Sequence, residues 1–321
     1  MRIVPIRIGL LLYPGCMAAG LLATADLLQA ANLRAGGSRF EWAFVGVQPG
    51  PIPCAHGVNL SASEALTAAR LDAVLLPGFW AVTDSHVAQA LCEQAELVAQ
   101  LRGLRRGVRC WSYCTGVALL AATGRLEGQA ATATWWMRPW LEREFPGVDW
   151  RWESHTVATP RGATASGAHG YQAIIAGEVE RALDAEAWRD IARFVVLPTR
   201  PPGPSVFQQL DRVPTDPLLL RLRAVVEELR ADEVRVATLA ERLSTSPRTL
   251  ARKVQASVGT SVGDHVRLIK LRQAGERLAH SDQTVAQVCD RLGFADEGSF
   301  RRAFRRVAGM TPGEFRRRYG A

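Results

Sequence analysis

The sequence predicts an α/β domain with a largely parallel central sheet, followed by an all-α domain with two helix-turn-helix units. Three observations lead there. Up to about Leu197, short apolar runs alternate with helical patterns, as they do when strands and helices take turns around one sheet. A stretch from Pro198 to Pro217 then breaks the pattern, with Pro-Pro-Gly-Pro at 201–204 and further prolines at 214 and 217, where neither a helix interior nor a central strand can continue. Beyond it the chain reads as helix and repeats itself at an offset of 49 to 50 residues.

The elements follow in order. Ile6–Tyr13, Glu41–Gly46, Ala73–Leu76 and Val108–Tyr113 are apolar runs of strand length. Leu21–Asn32, Ala88–Arg102, Thr115–Thr123 and Met137–Phe145 carry helical spacing. Thr156–Ala158 and Ala163–Ser166, joined by Pro160-Arg161-Gly162, read as paired strands before a helix at about Tyr171–Leu183. At the N-terminus, Arg2 and Arg7 precede an apolar stretch, Ile8–Ala25, containing Ala23-Thr24-Ala25, which resembles a secretion signal. Pro14-Gly15 breaks that stretch, so it reads equally well as a buried strand, a turn and a helix, the reading taken here. The predicted domains are 1–197 and 218–321, with 198–217 as a proline-rich linker.

Composition narrows the function. The 321 residues are 48% hydrophobic and 22% charged, as in soluble globular proteins, and suffice for two domains of about 100–200 residues each. Residues 1–214 hold 19 Arg against 18 Asp and Glu, whereas residues 215–321 hold 20 Lys and Arg against 13 Asp and Glu, so nearly all of the formal +8 lies in the last third. Such asymmetry points to a polyanion-facing module attached to a neutral one. The six cysteines have no paired CxxC spacing, which supports neither a disulfide framework nor a zinc site, and a reducing cytoplasm is the expected location. No apolar run outside the N-terminal stretch is long enough to span a membrane.

The repeat is the most informative feature. Val236, Leu239, Ala240 and Leu243 recur as Val285, Val288, Cys289 and Leu292. After a one-residue insertion, Leu250, Val254 and Gly259 recur as Phe300, Phe304 and Gly309. In each copy a short helix ends in a tight turn, a small residue (Ala240 or Cys289) allows two helices to cross closely, and a second helix follows. Ser246 with Pro247 in the first copy, and Asp296 after the Gly293-Phe294 turn in the second, supply cap chemistry. With Leu250, Val254, Phe300 and Phe304 facing the core, Arg248, Ala251 and Arg252 project outward from the first second-helix, and Glu297, Gly298, Ser299, Arg301 and Arg302 from the other. The helix from about Ser261 to His280 would set the separation of two such helices entering successive major-groove segments. Arg305, Arg306 and Arg316–Arg318 are expected to touch phosphates. Duplication, capping and charge asymmetry together favour double-stranded DNA over a merely solvated basic face.

Residues 218–319 resemble the AraC/XylS DNA-binding domain, through Ser246-Pro247-Arg248-Thr249-Leu250-Ala251-Arg252, Gly293-Phe294, Phe300-Arg301-Arg302-Ala303-Phe304, Gly309, Thr311-Pro312 and Phe315-Arg316. The resemblance implies base contacts from Arg248, Ala251, Arg252, Gly298, Ser299, Arg301 and Arg302.

In the first domain, Val108–Tyr113 runs into Cys114-Thr115-Gly116 and an Ala/Leu-rich helix. A nucleophile-type residue between a strand and a helix is the elbow of many hydrolases, where the helix end lowers a thiol's pKa. His155 and His169 follow the elbow in places where a base could stand. Leu76-Pro77-Gly78, this elbow and Gly124–Trp135 make roughly residues 5–197 resemble the PfpI-like, class I glutamine-amidotransferase-like fold, a flavodoxin-like sheet between helices. Joined to the AraC-type domain, it resembles the GlxA-type transcriptional regulators. Thr115 and Thr134 stand where enzymatic relatives carry histidine, and the Pro14–Gly20 turn lacks their glutamate. The resemblance with these departures implies a sensor without catalysis, cofactor or metal: a dimerising domain that binds a polar or nitrogenous metabolite through Cys16, Gly78, Cys114, Thr115, Thr134, Trp135 and His169. The competing reading is a cysteine-dependent amidase or hydrolase with a DNA-binding tail.

Overall fold

In a computed structural model that describes residues 4–197, 207 and 216–319, the first apolar run forms an interior strand of a seven-stranded sheet, β1 (Ile6–Leu11). The chain divides into two compact units, Met1–Thr199 and Arg200–Ala321. The proline-rich stretch expected as a linker lies outside the described residues, apart from Phe207, Asp216 and Pro217.

In the first unit the remaining strands are β2 (Phe40–Gly46), β3 (Gly50–Pro53), β4 (Asn59–Ala62), β5 (Glu64–Ala65), β6 (Ala73–Leu76), β7 (Arg109–Tyr113), β8 (Ala130–Ala131), β9 (Asp149–Trp150), β10 (Thr156–Thr159) and β11 (Gly162–Ala165). The main sheet has the order β10-β11-β7-β6-β1-β2-β5, and its neighbours pair in parallel except for the β10–β11 hairpin. The helices are α1 (Ala19–Ala35), α2 (Asp84–Glu93), α3 (Ala95–Gly103), α4 (Gly116–Ala122), α5 (Arg138–Glu144), α6 (Gly170–Ala182) and α7 (Ala185–Phe194). All four residues of β6 and the last four of β1 are buried, as strands covered on both faces must be.

From β1 the chain crosses first to β2 on one side and later to β6 on the other. Right-handed crossovers in opposite directions place α1 on one face and α2, α3 and α4 on the other. Packing follows suit, with α1 against α6 and α7 and α4 against α2 and α3. The crossover reversal between β1 and β6 leaves a crevice at their carboxyl ends, where open α/β sheets bind ligands.

The structure differs from the sequence reading in several places, the short strands β5, β8 and β9 among them. The helix expected over Ala88–Arg102 is two helices, because Gln94 leaves helical geometry at φ −100°, ψ 23°. The β3–β4 hairpin contains Pro51 and Pro53 and carries little strand signal, yet these prolines are tolerated in a two-stranded ribbon. The amphipathic helix α7, capped by Asp184 Oδ1 accepting from Ala187 N at 2.7 Å, was not anticipated either.

The second unit comprises α8 (Pro217–Glu228), α9 (Val236–Arg242), α10 (Pro247–Val258), α11 (Val262–His280), α12 (Val285–Leu292), α13 (Glu297–Ala308) and α14 (Pro312–Tyr319). Two cores express the repeat. Leu239, Ala240, Leu243, Leu250 and Val254 sit in one, and Val288, Cys289, Leu292, Phe300 and Phe304 in the other. α11 serves both, with Val262 and Ile269 in the first core and Leu271, Ala274 and Leu278 in the second. Of the glycines that punctuate the sequence, Gly259, Gly293 and Gly309 end helices in the left-handed region, whereas Gly263 and Gly313 lie in first turns.

Candidate functional site

The elbow forms because β7 ends at Tyr113 and the chain turns through Cys114 at φ 58°, a left-handed conformation costing a non-glycine residue about 1–3 kcal/mol. Cys114 N donates to Ala165 O at 3.0 Å, and the turn packs so closely on the loop after β6 that a Cβ at Gly116 would collide with the Pro77 carbonyl. Thr115 staples the two loops: its Oγ1 donates to Phe79 O at 2.6 Å and accepts from Phe79 N at 2.7 Å. The loop after β1 joins them, with Met17 N donating to Gly78 O at 2.8 Å and Cys16 bridged to Phe79. A Cβ on Gly78 would stand 2.8 Å from Cys114 Cβ. Thr134 hydrogen-bonds the Cys114 sulfur, and its Oγ1 accepts from Gly167 N at 3.3 Å. Half-buried Trp135 follows Thr134; exposed His169 precedes α6, its ring 6.3 Å from that of Tyr171. The structure therefore gathers Cys16, Gly78, Cys114, Thr115 and Thr134 around the elbow.

The electrostatics run against an activated nucleophile. Burial pushes the Cys114 thiol up, outweighing the hydrogen bonds from Thr115 and Thr134 that favour its ionised form. The helix end was expected to lower it, but desolvation prevails. Burial likewise drives Cys16, whose sulfur is 3.6 Å from that of Cys54, up to about 12. His155 Nδ1 lies 3.2 Å from Ser166 Oγ.

Tyr113 packs against the start of α1. Its ring is buried, its Oη has no hydrogen-bond partner among the described residues, and burial raises its pKa. A Cβ on Gly20, in the first turn of α1, would overlap Tyr113 Oη and stand 2.8 Å from Tyr171 Cδ1 and 2.9 Å from Tyr113 Cζ. The phenol thus fills the space that a side chain at position 20 would need. No sequence pattern marks this, since Tyr113 reads simply as the last residue of an apolar strand.

Beside the crevice lies a cavity of about 500 Å³ bordered by Tyr13, His56, Phe79, Trp80, His86 and Glu93, among others. Trp80 is 64% exposed, and its Nε1 donates to His56 Nε2 at 2.8 Å, holding the indole edge to the imidazole. Cys16, Gly78 and Thr115 are buried in the packing, and neither they nor Cys114, Thr134, Trp135 and His169 border this cavity. The sequence reading missed His56, Trp80 and Glu93, which come from three separate segments.

In the second unit each turn takes its cap as the chemistry dictates. Ser246 Oγ accepts from Thr249 N at 3.1 Å at the start of α10, and Asp296 Oδ1 from Ser299 N at 2.7 Å at the start of α13. The turn before α10 uses Ser244 at φ 52° where its counterpart uses Gly293 at φ 76°, so one backbone shape serves both copies. Arg248, Ala251 and Arg252 are exposed on α10, as are Gly298, Ser299, Arg301 and Arg302 on α13. Arg301 Nε donates to Glu297 Oε1 at 2.7 Å and Arg302 to Ser299 Oγ at 2.9 Å, which orders both guanidinium groups along the helix. Among the arginines expected at phosphates, Arg305 and Arg306 are exposed, but Arg316 points inward and donates to the Leu278 and Gln283 carbonyls. Its role is to tie α14 to the end of α11. The side chain of Arg318 lies outside the described residues.

Residues 239–318 match the helix-turn-helix domain family. The chain is 26% identical to the HTH-type transcriptional regulator GlxA of Rhizobium meliloti over 98% of its own length and 97% of the relative's. It is 27% identical to the HTH-type transcriptional regulator Rv1931c of Mycobacterium tuberculosis, over 78% of this chain and 96% of that one. In fold it is similar to the crystal structure of a ThiJ/PfpI family protein from Pseudomonas syringae, with a TM-score of 0.52 and 20% identity, covering 75% of this chain and 90% of the other. The chain thus has a GlxA-like organisation, a ThiJ/PfpI-like fold followed by duplicated units of the helix-turn-helix domain family, and is similar over nearly its whole length to a transcriptional regulator.

Proposed function

We propose that the chain reads specific promoter sequences through Arg248, Ala251 and Arg252 on α10 and Gly298, Ser299, Arg301 and Arg302 on α13, and that its first domain binds a small effector without catalysis. The observation that carries the sensor reading is the cavity edged by Tyr13, His56, Phe79, Trp80 and Glu93, set beside an elbow whose thiol is held by threonines and raised by burial. The exposed indole of Trp80 beside a carboxylate suits a polar or nitrogenous metabolite, the indole offering its π-face and Glu93 a counter-charge. None of Cys16, Gly78, Cys114, Thr115, Thr134, Trp135 and His169, the residues expected to hold the effector, borders this cavity, so the sensor reading rests on the cavity's own lining. The first domain also dimerises, so that two DNA-binding domains engage one operator, and the effector acts by binding one of two states of the dimer more tightly.

Thermal-shift screening of the full-length chain with amino acids, amines and quaternary ammonium compounds tests this reading. A hit should stabilise the protein, alter its affinity for a DNA site selected from random sequence, and lose both effects in Trp80→Ala. Trp80→Ala retaining the full response would remove the cavity from the sensor. The strained backbone of Cys114 favours a second reading, a cysteine amidase with a DNA-binding tail. Hydrolysis of amides or small peptides that disappears in Cys114→Ala would establish it in place of the first.

A further inference from the structure

A second cavity, of about 450 Å³, lies towards the amino end of β7, where Cys110 contributes to its wall, whereas Cys114 follows the strand's carboxyl end. Four arginines line it, Arg102, Arg106, Arg125 and Arg161, and no carboxylate does so among the described residues. They converge from different parts of the fold: Arg102 from α3, Arg106 from the loop after it, Arg125 from beyond α4 and Arg161 from the β10–β11 turn.

Two of the four are fixed. Arg125 donates to the carbonyls of Leu101, Leu104, Arg105 and Val108 at 2.9–3.4 Å, and Arg102 to those of Ala122 and Thr123 at 3.1 and 3.3 Å. Neutral carbonyls occupy these N–H groups without cancelling the charge. Arg106 and Arg161 are exposed at the rim and have no carboxylate partner among the described residues. Leu104, Leu120 and Leu126 supply an apolar wall, and Thr123, Thr159 and Thr164 short hydroxyl side chains.

We propose that this cavity is a binding site for a small organic phosphate. A guanidinium group presents a planar fork that matches phosphate oxygens two at a time, and a single carboxylate offers only enough oxygens for one such fork. The open forks of Arg106 and Arg161, backed by the uncancelled charges of Arg102 and Arg125, therefore select a dianionic tetrahedral group over a monocarboxylate, and the leucine wall takes the apolar body attached to it. The concave shape and volume suit a molecule of about mononucleotide size, within the range of small-molecule sites. The site is separate from the effector cavity proposed above, and neither depends on the other.

Isothermal titration of the full-length chain with ribose 5-phosphate, phosphoenolpyruvate, AMP and adenosine tests the assignment. At least one of the three phosphates binds saturably, adenosine does not, and Arg106→Gln/Arg161→Gln weakens binding by about tenfold per guanidinium removed. The variant leaves the carbonyl-bound Arg102 and Arg125 intact, so its unfolding midpoint should match that of the parent. Heats that are flat for all three phosphates overturn the proposal. So does binding that the double substitution leaves unchanged, or a variant that loses affinity for DNA while retaining the phosphate, which would make the arginines an auxiliary contact to the duplex.

Discussion

Replacing Gly20 by Ala should destabilise the first domain, and simultaneous Tyr113→Phe should relieve much of that cost. The new methyl group would overlap Tyr113 Oη, so one side chain must leave its position, and overpacking of this kind costs about 1–3 kcal/mol. Tyr113→Phe alone removes a buried hydroxyl that has no partner among the described residues. An unsatisfied buried hydroxyl costs about 1–3 kcal/mol, so this variant should be about 1 kcal/mol more stable than the parent. In the double variant the nearest atoms to the methyl become Tyr171 Cδ1 at 2.8 Å and the ring Cζ at 2.9 Å, which a shift of a few tenths of an ångström accommodates. The cycle should therefore show a favourable coupling of about 1 kcal/mol or more. Urea unfolding followed by tryptophan fluorescence isolates this domain, because all nine tryptophans lie between Trp42 and Trp188. Additivity within about 0.5 kcal/mol would refute the account of Tyr113 as the occupant of the space beside position 20. So would marked destabilisation by Tyr113→Phe, which would show that the hydroxyl has a partner.

Burial lowers the pKa of Lys270 to about 8, so the unfolded state holds more protons between about pH 8 and 10.5. Stability of the second unit should consequently rise across that window by up to about 3 kcal/mol and be lost again as pH falls through 8; hydrogen exchange of α11 in Lys270→Met should lack the slope, and an unchanged slope would assign it elsewhere. Phe304, fully buried with ring centroids 5.7 Å from Phe300 and 5.2 Å from Phe315, should cost about 3–5 kcal/mol on replacement by Ala and abolish DNA binding; a variant that binds normally would show the second core to be dispensable. Arg302→Ala should weaken binding to a selected site by about 1–3 kcal/mol, whereas Arg306→Ala should lower affinity for all sequences and reduce the salt slope by about 0.9; fluorescence anisotropy in a salt series separates them, and unchanged affinity for Arg302→Ala removes that residue from the reading face. With its thiol raised by burial, Cys114 should alkylate at neutral pH more slowly than exposed Cys92; peptide mapping that finds Cys114 modified first would reinstate it as a nucleophile.

The GlxA-like arrangement joins two domains of different electrostatic character. The near-neutral first domain offers cavities, and the basic second domain offers helix faces. In the second domain the guanidinium groups are told apart by where they lie: Arg316 is spent on backbone carbonyls, while Arg302, held by Ser299, and Arg306 remain on the surface.

Much of this was legible in the order of residues because local physics governs it. Helical spacing, the Ser246 and Asp296 caps and the recurrence of Leu239, Leu250 and Val254 as Val288, Phe300 and Phe304 depend on neighbours within a few turns. The β1, β6 and β7 runs were legible for a related reason, since strands covered on both faces must be apolar along their length. Long-range placement was not. Tyr113 as the occupant of the space beside Gly20, Trp80 facing His56, and Arg102 sharing a cavity with Arg161 each join segments far apart in the chain. Even the elbow's thiol, which local sequence predicts to be acidified by its helix, is set instead by the burial that three converging loops impose. Sequence determined the elements and the charge on each domain; the tertiary structure decided which side chains share a cavity, because that depends on where crossovers return the chain and not on which residues are adjacent along it.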